Sequence, residues 1–315
     1  MKIIVDQHIP YLLAPLSTLC EVVALPAAAI DAAAVRDADA LIVRTRTRCD
    51  AALLEGSRVR LIVTATIGYD HIDTAWCEAH GIRWTNCPGC NASSVCQYVE
   101  CALRLMEREG VLALAGSTIA VIGVGHVGSR VQAMAQRLGM NVLPIDPPRG
   151  LLPTDALWDA DVVTLHVPLT TDGPCPTYHL ADEAFFASLR RRPLFINTSR
   201  GPVADTDALV HALADGQIRQ AVIDVWEHEP HPDARLLSMA RLTTPHIAGY
   251  SADGKARASQ MALDALALHF GLPAVAAQQP PLADAPYDID ADSRRLKASP
   301  DTFEQQRTHY PLRRE

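Results

Sequence analysis

The sequence lacks an excess of positive charge and a recognisable leader peptide. Its 28 lysine and arginine residues are outnumbered by 36 aspartate and glutamate residues, which gives a net charge of −8. Because nucleic-acid binding depends on basic patches that neutralise phosphates, this balance argues against a nucleic-acid partner. Asp6 interrupts the first apolar run, so no signal peptide is predicted and a cytoplasmic location is expected.

Patterns typical of metal sites and membrane spans are also missing. Cys87 and Cys90 form the only close pair among the eight cysteines, and no second CxxC completes a zinc site. We therefore expect free thiols, a loop at this pair and no bound metal, although redox chemistry and zinc are the alternatives for a CxxC. Residues 110–129 carry no charged side chain, but five of them are glycine, so a buried strand explains them better than a membrane span.

What the sequence does contain is an alternation of short apolar runs and helical segments. With 315 residues, of which 49% are apolar, the chain is long enough for two domains. The apolar runs of the first 85 residues cover positions 2–6, 21–25, 41–44, 61–65 and 82–84. Strands that alternate with helices predict a parallel sheet, here in a smaller, flavodoxin-like α/β domain.

A glycine-rich turn lies in the middle of the chain. Residues 119–122 form an apolar run, residues 123–128 match G-x-G-x-x-G, and a second apolar run ends in an acidic residue 18 positions later. The glycines allow a tight turn and close approach of the backbone to a pyrophosphate, while the acid accepts hydrogen bonds from ribose hydroxyls. The candidate cofactor residues of this motif are Gly123, Gly125, His126, Val127, Gly128 and Asp146.

The alternation resumes after the glycine motif. Further strands are predicted at 162–167, 194–198, 220–225 and 242–244, which makes six with the two around the motif. We therefore predict a doubly wound parallel sheet that binds a dinucleotide. The predicted domains are a substrate domain of residues 1–90 and 258–272, a dinucleotide-binding Rossmann domain of residues 91–257, and an extension of residues 273–315. A helix at 251–270 is expected to pack on the first domain.

Three polar residues follow neighbouring strands of the second predicted sheet. Arg200 follows the fourth strand, Glu229 the fifth and His246 the sixth. Ligands bind outside the carboxyl ends of such strands, so these residues are candidates for catalysis. Oxidation of a hydroxy acid needs a guanidinium for the carboxylate, an imidazole for the proton and a carboxylate to orient the imidazole. Each residue taken alone is equally compatible with a solvated turn.

At these positions the sequence resembles the D-isomer-specific 2-hydroxyacid dehydrogenases. The segments that carry the resemblance are Asn197-Thr198-Ser199-Arg200-Gly201, Asp224-Val225-Trp226-Glu227-His228-Glu229-Pro230 and Thr244-Pro245-His246-Ile247-Ala248-Gly249. The resemblance extends from residue 1 to about residue 270. It implies an NAD-dependent dehydrogenase with Arg200, Glu229 and His246 as its catalytic residues.

The resemblance also implies roles for single residues outside this triad. Further cofactor contacts are implied for Asp146, Val167, Thr198, Ser199, Arg200, Asp224 and Gly249, and substrate contacts for Thr45, Thr66 and Tyr250. A substrate phosphate needs a basic partner, for which Arg44 is the first candidate and Arg46 and Arg48 are weaker ones.

Narrower features favour one substrate within the family. They are Asp146-Pro147-Pro148-Arg149, Tyr250-Ser251 after the last glycine, and the 17-residue spacing from Glu229 to His246. In these features the sequence resembles one branch of the family, and this resemblance implies oxidation of the C2 hydroxyl of 4-phospho-D-erythronate to (R)-3-hydroxy-2-oxo-4-phosphooxybutanoate, on the route to pyridoxal 5′-phosphate. The alternatives are a dehydrogenase for 3-phosphoglycerate or an unphosphorylated 2-hydroxy acid, and an NADH-sensing corepressor-like binding protein.

The extension, residues 273–315, differs in composition from the rest of the chain. Proline, alanine, glutamine and dense charge predominate, so the segment cannot form a core alone and is either a tail or a docking element. It resembles a reduced form of the family's dimerisation domain, and this resemblance implies a homodimer.

Overall fold

The computed structural model describes residues 1–281, 287–311 and 313–315. They divide into two compact units. The first unit comprises residues 1–91, 251–281 and 313–315, and the second comprises residues 92–250 and 287–311. Residues 282–286 and 312, which belong to the predicted C-terminal extension, lie outside the described residues.

The first unit is built on a parallel sheet of five strands. The strands are β1 (Lys2–Asp6), β2 (Glu21–Leu25), β3 (Ala40–Val43), β4 (Leu61–Thr64) and β5 (Arg83–Thr85). The helices between them are α1 (Leu13–Leu16), α2 (Ala32–Val35), α3 (Ala51–Leu54) and α4 (Thr74–Ala79). The strand order β2-β1-β3-β4-β5 is that of flavodoxin, which confirms the predicted class of this domain. Each strand lies within one residue of the apolar run that predicted it.

The second unit contains a parallel sheet of six strands, the number predicted. The strands are β6 (Thr118–Ile122), β7 (Asn141–Ile145), β8 (Val162–Leu165), β9 (Leu194–Asn197), β10 (Gln220–Ile223) and β11 (Leu242–Thr243). Their order is β11-β10-β9-β8-β6-β7, so β8 lies beside β6 rather than outside β7. The connection from β7 to β8 holds only two short 3₁₀ turns, at Pro147–Arg149 and Asp155–Asp159. The chain reverses direction across the sheet at β6, where parallel sheets of this kind bind their ligands.

Helices and apolar clusters cover the second sheet on both faces. The helices are α5 (Ala92–Arg108), α6 (His126–Arg137), α7 (Glu183–Ser188), α8 (Thr206–Ala214) and α9 (Ala234–Met239). Along β6, Ile119 and Val121 join one apolar cluster, whereas Ala120 and Ile122 join the other. This alternation of side chains between two buried faces explains why the strand is apolar throughout.

Helix α10 (Ala252–Phe270) returns the chain to the first unit. It begins where the Ser251 hydroxyl accepts the Gly254 N–H at 2.8 Å and ends at Gly271, whose φ is 66°. Ala262, Leu263 and Leu266 join the apolar cluster of β1, which confirms that this helix packs on the first domain. The two units divide the chain between Tyr250 and Ser251, so the whole of α10 lies in the first unit, whereas the sequence predicted a boundary after residue 257.

Residues 287–311 of the extension form two helices of the second unit. They are α11 (Ile289–Ala298) and α12 (Phe303–Thr308). Leu296 and Phe303 are buried in one apolar cluster of the unit, and the Thr243 N–H at edge strand β11 donates to Ser293 Oγ at 3.0 Å. Of the two alternatives, the segment is a docking element rather than a tail, and it docks on its own chain. Across the described ranges, no helix has both the length and the apolar character needed to cross a membrane.

Candidate active site

The glycine turn connects β6 to α6. Gly123 has a φ of 94°, and a Cβ at this position would lie 2.5 Å from the carbonyl oxygen of His166. A Cβ on Gly128 would lie 1.9 Å from the carbonyl oxygen of Gly123, so both positions require glycine. Nothing lies within 4 Å of a Cβ on Gly125, at the N-cap of α6. The helix start therefore has free space beside Gly125, and the unpaired N–H groups of a first helical turn suit the pyrophosphate of a dinucleotide.

Asp146 lies at the end of β7, beside the glycine turn. Its Oδ2 accepts the N–H of Val124 at 2.8 Å, which fixes the carboxylate next to the turn. Arg149 donates from Nη1 to the Val124 carbonyl at 2.8 Å and has its Nε 3.5 Å from Asp146. In the first turn of α6, His126 is exposed and Val127 is half-buried. The carboxylate therefore lies directly beside the glycine turn.

The end of β8 brings Val167 and Thr198 close to the glycine turn. A Cβ on Gly123 would lie 2.9 Å from a methyl group of Val167. His166, for which the sequence predicted no role, has Nε2 3.0 Å from Thr164 Oγ1 and Nδ1 3.5 Å from Thr198 Oγ1. Burial lowers the pKa of His166 to about 3, so this imidazole is neutral and connects the ends of β8 and β9 by hydrogen bonds.

Arg200 lies in a sharp turn after β9. Asn197 Oδ1 accepts hydrogen bonds from the N–H and the hydroxyl of Ser199, and Asn197 Nδ2 donates to the Arg200 carbonyl. A Cβ on Gly201 would lie 2.0 Å from the carbonyl carbon of Trp226. This contact places the turn of Arg200 directly against the loop that follows β10, in which Glu229 lies.

Asp224, at the end of β10, organises the loop that carries His246. Its buried carboxylate accepts the Thr244 hydroxyl at 2.6 Å and the N–H groups of Ile247 and Ala248 at 2.8 and 2.9 Å. The His246 N–H donates to the Asp224 carbonyl at 2.8 Å. Burial raises the pKa of Asp224, and the hydrogen bonds and His246 oppose that rise. The sequence predicted a cofactor contact here, whereas the structure shows a carboxylate bonded to the backbone beside His246.

His246 and Glu229 form a hydrogen-bonded pair. His246 Nδ1 lies 3.0 Å from Oε1 and 2.9 Å from Oε2 of Glu229. With Nδ1 as donor to this carboxylate, Nε2 is the ring nitrogen that accepts a proton. His246 has a φ of 56°, a conformation that is strained for a residue with a side chain and that recurs at functional sites.

Glu229 has two further partners. The Trp226 N–H donates to its Oε1 at 3.1 Å, and Arg307 Nη1 of α12 lies 3.5 Å from its Oε2. Burial would raise the pKa of Glu229, but the hydrogen bond and charge of His246 together with the charge of Arg307 lower it. Glu229 is therefore a carboxylate at neutral pH. The Arg307 guanidinium also hydrogen-bonds to the side chain of Tyr250, which the sequence singled out as a substrate contact. Gly249, beside Tyr250, is half-buried.

The sequence-predicted substrate residues of the first unit follow its parallel strands. Arg44 follows β3 and donates from Nε to Asp6 Oδ2 at 3.0 Å. Thr45 is exposed, and Thr66 Oγ1 lies 2.7 Å from Thr64 Oγ1 and donates to the Gly68 carbonyl. The structure places these residues at the carboxyl edge of the first sheet, where such sheets bind ligands.

The close cysteine pair lies in the apolar interior of the first unit. Burial raises the pKa of Cys87 to about 12 and that of Cys90 to about 11, so both are thiols rather than thiolates. Cys87 Sγ donates to the Ala258 carbonyl at 3.4 Å. Among the described residues, no three His, Cys, Asp or Glu side chains are grouped so that they could hold a metal ion.

Comparison with known proteins identifies the family. Residues 104–248 match the model of the D-isomer specific 2-hydroxyacid dehydrogenase, NAD binding domain. The chain is 46% identical to the erythronate-4-phosphate dehydrogenase of Bacteroides fragilis, over all of this chain and 97% of that protein. The enzymes of the same name from Porphyromonas gingivalis and Edwardsiella ictaluri are 43% and 40% identical, over all of this chain and 94% and 93% of theirs.

Solved structures share the fold of this chain. The TT0316 protein from Thermus thermophilus is 28% identical and superposes with a TM-score of 0.71, over 89% of this chain and 99% of that one. The D-lactate dehydrogenase of Aquifex aeolicus shares the fold, with 24% identity and a TM-score of 0.68 over 86% and 96% of the two chains. The matched domain makes this protein an NAD-dependent dehydrogenase. The chain belongs to the erythronate-4-phosphate dehydrogenases, within the D-isomer-specific 2-hydroxyacid dehydrogenase family.

Proposed function

We propose that the protein oxidises the C2 hydroxyl of 4-phospho-D-erythronate to the 2-oxo acid, with NAD as the oxidant. The observation that carries this proposal is the pair formed by His246 and Glu229. The carboxylate holds Nδ1 with both of its oxygens, which leaves Nε2 as the proton acceptor. The relatives that are 40–46% identical over the whole chain are named for this substrate.

The residues of the second unit divide the chemistry between them. Neutral His246 accepts the proton of the C2 hydroxyl at Nε2, and Glu229 stabilises the imidazolium that results. The Arg200 guanidinium binds the substrate carboxylate and the developing C2 carbonyl oxygen, for which its planar fork of donors is suited. Bound NAD supplies the acceptor for the hydride that leaves C2.

The glycine turn and its surroundings would hold the cofactor. The helix start at Gly125 receives the pyrophosphate, and Asp146 accepts from the adenosine ribose hydroxyls. We assign the remaining cofactor contacts to Val167, Thr198, Ser199, Arg200 and Gly249. For Asp224 we propose an indirect role, because its carboxylate is engaged by the backbone of the His246 loop.

The substrate phosphate would be bound in the first unit by Arg44, with help from Lys255. Burial and the nearby positive charge of Arg44 lower the pKa of Lys255 to about 8. A doubly charged phosphate beside two cations would keep both in their charged form. Thr45, Thr66 and Tyr250 would contribute hydrogen bonds to the substrate.

The proposal extends to the pathway, the cellular compartment and the oligomeric state of the enzyme. The product is an intermediate on the route to pyridoxal 5′-phosphate, as the substrate implies. None of the eight cysteines is in a disulfide, which supports a reducing compartment such as the cytoplasm. We propose a homodimer, and static light scattering of the full chain tests this, since a single species of about 34 kDa would contradict it.

A substrate panel tests the proposed reaction. NADH formation is followed with 4-phospho-D-erythronate, 3-phosphoglycerate, D-lactate and D-glycerate, for the wild type and for His246→Asn. We expect turnover of 4-phospho-D-erythronate with a kcat/KM at least tenfold above the others, and none in the variant. A preference for 3-phosphoglycerate or an unphosphorylated acid would show that the substrate is not 4-phospho-D-erythronate. No turnover of any acid together with tight NADH binding would favour a sensor.

A further inference from the structure

Arg307 reaches the proposed catalytic pair from a segment without catalytic motifs. It lies on α12, within the extension that the sequence associated with dimerisation. Its Nη1 is 3.5 Å from Glu229 Oε2 and 3.4 Å from Glu304 Oε1, and only 21% of its side chain is exposed. The guanidinium therefore stands between the carboxylate that holds His246 and the phenol of Tyr250.

The position of Arg307 is fixed by the core of the second unit. Phe303, four residues earlier on α12, is 1% exposed and belongs to the same apolar cluster as Leu296 of α11. Side chains four residues apart lie on the same face of a helix, so the burial of Phe303 directs Arg307 toward the unit as well. The Tyr310 ring, two residues beyond α12, lies edge-on to Tyr250 at 6.3 Å between centroids. The C-terminal helices thus form a wall of the proposed site.

On this geometry we propose that Arg307 is a positioning residue that holds the Glu229 carboxylate toward His246 and balances its negative charge. The proposal rests on the proposed function, in which His246 must be neutral to accept the hydroxyl proton. A carboxylate alone would bind the imidazolium strongly and delay its deprotonation as the pH rises. A guanidinium next to the same carboxylate weakens that hold. Arg307 thereby keeps His246 competent as a base at lower pH.

The sign of the effect follows from the charges that face the pair. These groups are the carboxyl groups of Asp224 and Glu229, the Arg307 guanidinium, the phenol of Tyr250, and Glu304, which contacts Arg307. Replacing Arg307 with a neutral residue removes the one cation of this set and leaves the two carboxylates next to His246. Imidazolium is then favoured, and the acidic limb of kcat/KM for oxidation moves to higher pH.

Two independent readouts test this role. The first is the pH profile of kcat/KM with 4-phospho-D-erythronate and NAD for the wild type and Arg307→Gln. The second is the titration midpoint of His246 in the free enzyme, followed by NMR of histidine-labelled protein and assigned with His246→Asn. In Arg307→Gln we expect the midpoint of the acidic limb and the titration midpoint of His246 each to rise by about 0.5 pH unit. At pH values below the acidic limb, kcat/KM should then be about threefold lower than in the wild type. The NMR titration needs no substrate, so it remains decisive even if the proposed substrate is wrong.

Three further variants separate the effect of charge from that of structure. Arg307→Lys keeps a cation next to Glu229, so both readouts should stay within about 0.2 pH unit of the wild type. Arg294→Gln removes an arginine of α11 that is 69% exposed and paired only with Asp290 in the described contacts, and it should change neither. When Arg307→Gln is added to Glu229→Gln, both readouts should rise, relative to Glu229→Gln alone, by less than Arg307→Gln raises them relative to the wild type.

The outcomes that overturn the proposal are specific. An unchanged limb and midpoint in a folded Arg307→Gln would show that Arg307 does not act on the pair. A raised KM with an unchanged pH profile would instead show that Arg307 acts on substrate binding, through its hydrogen bond to Tyr250. If Arg307→Gln does not fold, Arg307→Lys decides: a shift of its limb by as much as 0.5 pH unit, with charge retained, would contradict the electrostatic role.

Discussion

Gly201 lies against the backbone of Trp226, so closely that a Cβ at residue 201 would be 2.0 Å from both the carbonyl carbon and the carbonyl oxygen of Trp226. The φ of Gly201 is not in the left-handed region. Glycine is therefore required here by the nearby backbone of Trp226 and not by the conformation of residue 201 itself. This contact joins the turn of Arg200 to the loop of Glu229. The relative position of two proposed catalytic residues therefore depends on the absence of a single methyl group.

The first prediction is that Gly201→Ala damages both stability and activity. The methyl group must displace backbone, which we expect to cost about 1–3 kcal/mol of unfolding free energy and to separate Arg200 from Glu229. Urea unfolding and kcat/KM measure the two effects. Gly81→Ala is the control: its φ of 72° strains the backbone, but open space surrounds the new methyl group, so activity should be retained. Full activity in Gly201→Ala would show that the contact does not position the catalytic loops.

The second prediction concerns Asp224. Asparagine keeps the shape of the side chain but offers one acceptor oxygen in place of two. The backbone N–H of either Ile247 or Ala248 would then face the side-chain NH2 group, which is itself a donor. We expect Asp224→Asn to lower the unfolding free energy by about 1–3 kcal/mol and kcat by more than tenfold, because the His246 loop loses its anchor. Asp207→Asn, at an aspartate whose side chain is 69% exposed, should change neither quantity measurably. A variant with lost NAD affinity but normal kcat would instead favour a direct cofactor contact.

The third prediction is a preference for NAD over NADP that depends on Asp146. Its carboxylate would repel the additional phosphate of NADP, and Arg149 is held by the Val124 carbonyl and by Asp146. We expect kcat/KM with NAD to exceed that with NADP about tenfold or more, which requires ~1.4 kcal/mol. Asp146→Asn should reduce the ratio, mainly through improved KM for NADP. Equal use of both cofactors by the wild type would refute the assignment.

The sequence predicted most of the fold because its signals are local. Strands β1, β3 and β4 are buried along almost their whole length and carry apolar side chains on both faces, so their positions could be predicted from apolar runs to within one residue. The edge strands β2 and β5 are only partly buried. The glycine turn was predictable for a similar reason, since the φ of 94° at Gly123 and the contact of Gly128 with the Gly123 carbonyl both lie within the turn itself. The order of the second sheet was not predictable, because the pairing of β8 with β6 depends on a crossover that no local pattern encodes.

The candidate site was predictable only in part. Arg200, Glu229 and His246 stand out because each follows a strand, but whether their side chains meet depends on long-range packing. Arg307 gave no signal: 78 positions separate it from Glu229 in the sequence, and it lies in a segment whose composition suggested only docking. Asp224 was assigned to the cofactor because it belongs to a family segment, whereas its bonds to the His246 loop appear only in three dimensions.

The central claim is that His246 and Glu229 act as one acid–base pair, and the pH profile of Glu229→Gln tests it most directly. The amide keeps the shape of the side chain and removes the charge that favours imidazolium. The acidic limb of kcat/KM for oxidation should therefore move to lower pH by about one unit, opposite to the shift expected for Arg307→Gln. His246→Asn should abolish turnover at every pH while NAD still binds. An acidic limb in Glu229→Gln that coincides with that of the wild type would contradict the pair.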